Sequence, residues 1–186
     1  MNTNDLAAVL ENLRKKNPLI LSLTNNVVQN ITANMLLAVG AAPVMLNDAA
    51  ECGQLLSVCA NGLLVNVGTL SHPQAQLMRS AVDAAHAAGV PWVLDPVAVG
   101  LLRFRTEFCH ELLAMRPTLI RGNASEIMAL AGEAAGGRGT DTTEESSAAV
   151  QSARKLAQQC GCTVLVTGPV DYVVDGERVL ALGNGD

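Results

Sequence analysis

Asp95, Arg121 and Glu126 are the residues whose types and spacing point first to chemistry. Asp95 ends the apolar run Trp92-Val93-Leu94 and precedes Pro96. Proline has no N–H and a fixed φ, so it cannot continue a central sheet ladder. The Asp95 carboxylate therefore stands at the carboxyl end of a strand, the edge where open α/β sheets bind ligands. A carboxylate there suits Mg²⁺, which takes oxygen ligands and keeps several waters; equally, it could accept backbone N–H bonds in the turn beyond it. Arg121 ends a second run, Thr118-Leu119-Ile120, just before Gly122 and a helix start. Its guanidinium and the helix N–H groups could bind one anion; the alternative is a surface ion pair of little consequence. Glu126 lies three residues after Asn123, the spacing of a capping box. It can serve a metal only as far as capping leaves its oxygens unused. Taken together, the three form a candidate metal and phosphate site.

Other strand ends offer further polar groups. Asn66 and Gly68 follow Leu63-Leu64-Val65, and Thr167-Gly168 follows Val164-Leu165-Val166. A hydroxyl followed by glycine allows a ligand close to the backbone, though the pair is also an ordinary exit from strand to turn. The first strand runs into the turn signal Thr24-Asn25-Asn26. Met45 ends a short apolar run, where it can line an adaptable pocket or fill the core. His72, His86 and His110 fall at helical positions without metal-ligand spacing and read as solvated or packing residues. There is no Gly-x-x-x-x-Gly-Lys-[Ser/Thr] phosphate loop and no Gly-x-Gly-x-x-Gly after the first strand. A Gly-x-Ser-x-Gly elbow is also absent.

Positioning these groups takes alternating strands and helices. Leu6, Val9, Leu10 and Leu13 form one stripe of a helix over 5–16, capped by Asp5 and ended by Pro18. A strand over 19–23 follows, then a helix over 27–39 that Gly40 stops. Next come a strand over 42–46 and a helix over 49–60, capped by Asp48, with Leu55, Leu56 and Cys59 facing inward. A strand over 63–67 leads to a helix capped by Ser71, with Pro73 in its first turn and Gly89 at its end. Trp92 to Asp95 is the fourth strand. A helix over 107–116, a strand over 118–121 and a helix over 124–131 follow, then a Gly-rich loop at 134–141 and a helix over 144–159. The sixth strand is 163–167. Tyr172-Val173-Val174, Asp175-Gly176 and Arg178-Val179-Leu180 read as a β-hairpin. The alternation predicts a single α/β domain over 1–186: a mostly parallel sheet with helices on both faces and a late hairpin. The terminal Gly183-Asn184-Gly185-Asp186 is turn-like and leaves the sheet without a closing element, as in a fragment of a longer chain.

Composition narrows the partners. With only one Trp, one Tyr and two Phe, the core must be aliphatic, as in layers of buried parallel strands. A net charge of −5 argues against nucleic acid, whose phosphates need clustered Lys and Arg. An ATP-sized anion is compatible, because backbone N–H groups and one or two Arg suffice. Five cysteines, no Cys-x-x-Cys and no signal peptide predict free thiols in a reducing cytoplasm. Cys160 and Cys162 stand too close in sequence for a disulfide. No apolar run approaches a membrane span.

Several segments, in order, resemble hydroxyethylthiazole kinase, a ribokinase-like α/β family. They are Leu23-Thr24-Asn25-Asn26-Val27-Val28 with Thr32-Ala33-Asn34, Ala42-Pro43-Val44-Met45, Asn66-Val67-Gly68-Thr69-Leu70, Leu94-Asp95-Pro96-Val97, Arg121-Gly122-Asn123-Ala124-Ser125-Glu126-Ile127 and Val166-Thr167-Gly168. The resemblance implies ATP- and Mg²⁺-dependent phosphorylation of the hydroxyethyl arm of a thiazole, a salvage step toward thiamine. It implies that Met45, Asn25, Val27 and Gly68 contact the thiazole, Arg121 and Thr167 contact ATP, and Asp95 and Glu126 lie beside the metal and phosphates. It also implies a homotrimer with sites between subunits, the 66–70 segment facing a neighbour's site. The family's Gly-Thr-Gly-Cys segment, which supplies the anion hole and the catalytic base, is expected beyond Asp186. Two rival readings follow: a non-catalytic ligand-binding fragment, and a ribokinase-like enzyme acting on another small substrate.

Overall fold

A computed structural model describes residues 3–133 and 146–183. The Gly-rich loop expected at 134–141, the start of the helix expected from Glu144, and residues 184–186 lie outside the described residues. By contacts the chain divides into two compact units, Met1–Val65 with Ser71–Pro91, and Asn66–Leu70 with Trp92–Asp186.

The first unit runs α1 (Thr3–Lys16), β1 (Leu19–Leu23), α2 (Gln29–Val39), β2 (Ala42–Val44), α3 (Ala49–Val58), β3 (Gly62–Asn66) and α4 (His72–Ala88). The last residue of β3 belongs to the second unit. Strand β1 lies between β2 and β3, parallel to both, with Leu21 opposite Val44 on one side and Leu63 on the other. Leu21, Leu63, Val65, Cys52, Leu56, Met78 and Val82 are buried and make its core. Ser71 and Gln74 close a full capping box at α4, and Gly89 ends it with φ +68°. Asp48 caps α3 by accepting from Ala50 and Glu51 N–H.

Some expectations need correction. Helix α1 starts at Thr3, so Asp5 sits in its first turn rather than at the cap. The stripe on α1 is not a buried one, since Leu6, Val9 and Leu10 are exposed. Helix α2 starts at Gln29 because Asn25 holds the preceding residues in a turn, and no residue of α2 is buried. On α3 the inward pair is Cys52 and Leu56, one turn apart; Leu55 is half-buried and Cys59 exposed. Strand β2 stops at Val44, leaving Met45 just beyond it.

The second unit runs β4 (Trp92–Asp95), α5 (Arg103–Ala114), β5 (Leu119–Asn123), α6 (Ala124–Leu130), a 3₁₀ turn at Ser146–Ala149, α7 (Val150–Cys160), β6 (Thr163–Thr167), β7 (Asp171–Val174) and β8 (Val179–Leu182). Strands β4, β5 and β6 are parallel, with Val93 opposite Leu119 and Ile120 opposite Val164. Strands β7 and β8 add antiparallel, as the hairpin signal predicts. The connection is longer than a tight turn: the Asp175 carboxylate accepts the Arg178 N–H and guanidinium, and Gly176 takes φ +91°. Helix α5 begins at Arg103, earlier than expected, and α7 only at Val150 after the 3₁₀ turn. Phe108, Leu112, Ile120, Ile127, Leu156 and Val164 are fully buried. Parallel strands dominate both units, which makes the chain an α/β protein with a late hairpin.

Candidate functional site

The second unit gathers its polar side chains where β3, β4 and β5 end. Asp95 is the last residue of β4 and is only 7% exposed. Its Oδ2 accepts from Asn66 Nδ2 at 2.8 Å and from Arg121 Nη1 at 3.2 Å. Its Oδ1 is buried and has no protein partner. A carboxylate oxygen left bare in the interior is costly unless something not in the chain engages it. Burial raises the Asp95 pKa above the ordinary carboxylate value, against the lowering effect of Arg121 and Asn66. Arg121 does not end its strand as expected, because β5 continues through Gly122 to Asn123; its side chain is about half exposed, so one face of the guanidinium holds Asp95 while the rest stays open. This is more than a surface ion pair, because its acid is buried.

Glu126 is committed differently. Asn123 caps α6 by accepting the Glu126 N–H at 2.9 Å, and Glu126 Oε2 accepts the Asn123 N–H at 2.9 Å. The capping box read from spacing is present. The other oxygen, Oε1, accepts the Ala98 N–H at 2.9 Å. Ala98 has φ +57°, a backbone shape that disfavours any residue with a Cβ. Glu126 thus clamps the loop that follows Asp95. Burial raises its pKa, the two backbone N–H bonds lower it, and the nearby Asp95 charge raises it further.

Thr167 ends β6 opposite Asn123 of β5. Gly168 donates to Asp171 Oδ1 at 3.0 Å. A Cβ built on Gly168 would sit 3.0 Å from Ser146 Cβ and 3.1 Å from its Oγ. What comes close to this glycine is therefore the Ser146 side chain, whose hydroxyl donates to the Val170 carbonyl. Ser146, Ser147, Pro169, Val170 and Tyr172 line a cavity of about 270 Å³ beside it.

In the first unit, Met45 is half-buried and not a core residue. It lines a narrow pocket of about 20 Å³ with Ser22, Thr24, Gln29, Asn47 and Gln74. The Ser22 and Thr24 hydroxyls are buried without protein partners, and the space suits a single water. Asn25 Oδ1 accepts the N–H groups of Val27 and Val28 at 3.0 and 3.2 Å, so that oxygen shapes the turn into α2. The Val27 side chain is 80% exposed. In the second unit, the Gly68 N–H donates to Asn66 Oδ1 at 3.0 Å.

Of the residues singled out by sequence, Asp95 and Arg121 meet directly, and Glu126 adjoins them through the 95–98 loop. Asn66, read from the sequence as one of the polar strand-end groups, proves to be a direct partner of Asp95, whereas Ala98, which Glu126 holds, carries no signal in the sequence. Among the described residues no cluster of three His, Cys, Asp or Glu could hold a metal, so an ion here would be bound by one or two carboxylates and water.

The hydroxyethylthiazole kinase family model matches residues 10–186. The hydroxyethylthiazole kinase of Pectobacterium carotovorum subsp. carotovorum (strain PC1) is 57% identical over 193 residues, covering 100% of this chain and 73% of that protein. Among solved structures, a hydroxyethylthiazole kinase protein from Pyrococcus horikoshii OT3 superposes with a TM-score of 0.87 at 36% identity, covering 99% of this chain and 68% of that one. A pyridoxal kinase from Staphylococcus aureus in complex with AMP-PCP superposes with a TM-score of 0.64 at 15% identity, covering 88% of this chain and 71% of that one, a likeness of fold.

Proposed function

The chain belongs to the hydroxyethylthiazole kinase family, and from that we propose that it transfers the γ-phosphoryl group of ATP to the primary alcohol of 4-methyl-5-(2-hydroxyethyl)thiazole, a salvage step toward thiamine. The observation that carries this reading is the buried, unpartnered Oδ1 of Asp95 at the end of β4 beside a half-open Arg121. Phosphoryl transfer is catalysed mainly by positioning and by neutralising charge, and these two side chains suit that work.

Asp95 fits Mg²⁺: its bare oxygen would hold the ion or one of its waters, and Glu126, whose oxygens already accept two backbone N–H bonds, would reach it through water. When bound, Mg²⁺ neutralises charge on the phosphates. Arg121 is held at one end by Asp95 and turns its other donors to a phosphate of ATP. Thr167 adds a hydroxyl at the end of β6, and the cavity lined by Ser146, Val170 and Tyr172 has the size for part of the nucleotide. Glu126 fixes the shape of the loop after Asp95 and so the direction of the carboxylate. Met45, Asn25, Val27 and Gly68 are assigned to the thiazole. Met45 suits this by standing half-buried just beyond the end of β2, and Val27 by offering an exposed side chain.

The exposed apolar residues of α1 and α2, among them Leu6, Val9, Ile31 and Met35, support burial against further copies of the chain, and we assign them to a homotrimer interface. No helix among the described residues is long and apolar enough to cross a membrane; we place the enzyme in the cytoplasm. The test is a kinase assay on the protein as encoded, with the thiazole alcohol and ATP·Mg²⁺. Phosphorylated thiazole is the expected product, and its absence refutes the reading. Sedimentation equilibrium tests the trimer.

A further inference from the structure

We propose that Asn66 is a positioning residue that ties the phosphate side of the site to the alcohol side, holding the Asp95 carboxylate with one end of its carboxamide and the Gly68 backbone with the other. The inference rests on the kinase reading, since it assigns what Asn66 positions.

Asn66 is 5% exposed at the end of β3. Its Nδ2 donates to Asp95 Oδ2 at 2.8 Å and its Oδ1 accepts the Gly68 N–H at 3.0 Å. An ionised carboxylate can only accept and a backbone N–H can only donate, so the amide has one permitted orientation. The bond to Asp95 joins residues 29 apart in sequence. It has a directional consequence. Oδ2 is held by Asn66 and Arg121 together, so the carboxylate cannot rotate about its Cβ–Cγ bond, and Oδ1 is fixed as the oxygen that faces a ligand. Without Asn66, Arg121 alone would hold Oδ2, and the two oxygens could exchange places.

The other end acts on strained backbone. Thr69, next after Gly68, has φ +47°. A β-branched residue in that region is a marked outlier that its surroundings must enforce. Asn66 Oδ1 fixes the turn immediately before it. One buried side chain therefore sets both a carboxylate direction and a strained turn. A change at Asp95 then reaches Gly68 through two hydrogen bonds, a short physical path for coupling.

The test uses Asn66→Ser, because a serine hydroxyl can still accept the N–H two residues on but does not reach Asp95. Asn66→Asp is the second variant: it keeps the shape and the turn, and sets an acceptor against the Asp95 carboxylate. The expected result for both is folded protein whose kcat falls on the order of 10²-fold, the cost of a misplaced reacting group, with the KM for ATP changed less than about twofold because Arg121 and Thr167 remain. A second readout needs no turnover. Hydrogen exchange of the 66–70 backbone is followed with and without Mg·ADP. Protection by Mg·ADP is expected in the parent and is lost in Asn66→Ser. A merely structural Asn66 would change basal exchange but leave that protection in place. Near-parental kcat in Asn66→Ser, or retained Mg·ADP protection, overturns the inference. An inactive parent protein refutes the kinase reading instead, and the exchange readout still decides the role of Asn66.

Discussion

Replacing Glu126 separates its structural work from its charge. Glu126 is 6% exposed, and its carboxylate accepts two backbone N–H bonds, from Asn123 and Ala98, both at 2.9 Å. Hydrogen bonds to a charged group contribute about 1.5–3 kcal/mol each, and an orphaned buried donor costs about 1–3 kcal/mol. Glu126→Ala removes both bonds and strands both donors, while it relieves the burial of a charge. The net loss should be about 3–5 kcal/mol, a large part of a domain's stability. Glu126→Gln keeps one acceptor and faces an NH₂ group toward the other donor, so it should lose about 1–3 kcal/mol. The pH dependence then gives a sign. Burial raises the Glu126 pKa in the folded state above its ordinary value of 4.5. The folded protein therefore binds the proton more tightly than the unfolded chain. The stability contributed by this group is full below about pH 4.5 and is lost as pH rises through the raised folded value. Glutamine does not titrate, so the gap between parent and Glu126→Gln should widen on acidification. Urea unfolding at pH 7 and at pH 4.5 measures both gaps. A gap that narrows in acid would mean that the two N–H bonds outweigh burial, and the account of this carboxylate would fail. So would a Glu126→Ala protein that folds within about 1 kcal/mol of the parent.

Asp95→Asn should lower turnover on the order of 10²-fold or more yet raise stability at neutral pH, because burial dominates the raised pKa and the ionised form opposes folding. That advantage should shrink as pH falls through the raised value toward 3.8; calorimetric unfolding that shows lower stability at pH 7 would count against it. Gly40→Ala should cost about 1–3 kcal/mol in urea unfolding, since Gly40 has φ +100° and a Cβ there would lie 2.6 Å from Arg14 Cγ and 3.0 Å from the Arg14 Cα. With a thiol reagent at pH 8, mass spectrometry should find Cys59 modified first. Cys109, whose thiol burial pushes up to about 12, should stay unmodified unless the protein unfolds.

How much of the site was legible depends on how far each contact reaches along the chain. Asp95 is readable as a strand-end acid because Pro96, its neighbour, cannot extend the ladder. The Asn123–Glu126 box is readable because both partners lie within one helical turn. The α4 caps are local in the same way and appear in the structure; the hairpin at Asp175-Gly176 appears too, with Gly176 at positive φ but in a connection longer than the tight turn expected. The apolar stripe of α1 gives the helix but not what covers it. Its period says only that one face is apolar, and the structure leaves Leu6 and Val9 exposed. The second oxygen of Glu126 finds Ala98 at a separation of 28 residues, and Ala98 carries no glycine-like signal for its φ of +57°. These non-local bonds also complete the distinction between the two acids that the capping-box spacing of Glu126 begins. Glu126 spends both oxygens on backbone N–H groups, whereas Asp95 spends one oxygen on Asn66 and Arg121 and keeps the other bare. A group whose oxygens are both in use is suited to hold a loop; one with a buried unused oxygen is suited to hold a ligand. The division of labour between Asp95 and Glu126 therefore follows from hydrogen-bond satisfaction, of which spacing reveals only the Asn123–Glu126 bond and the packed chain sets the rest.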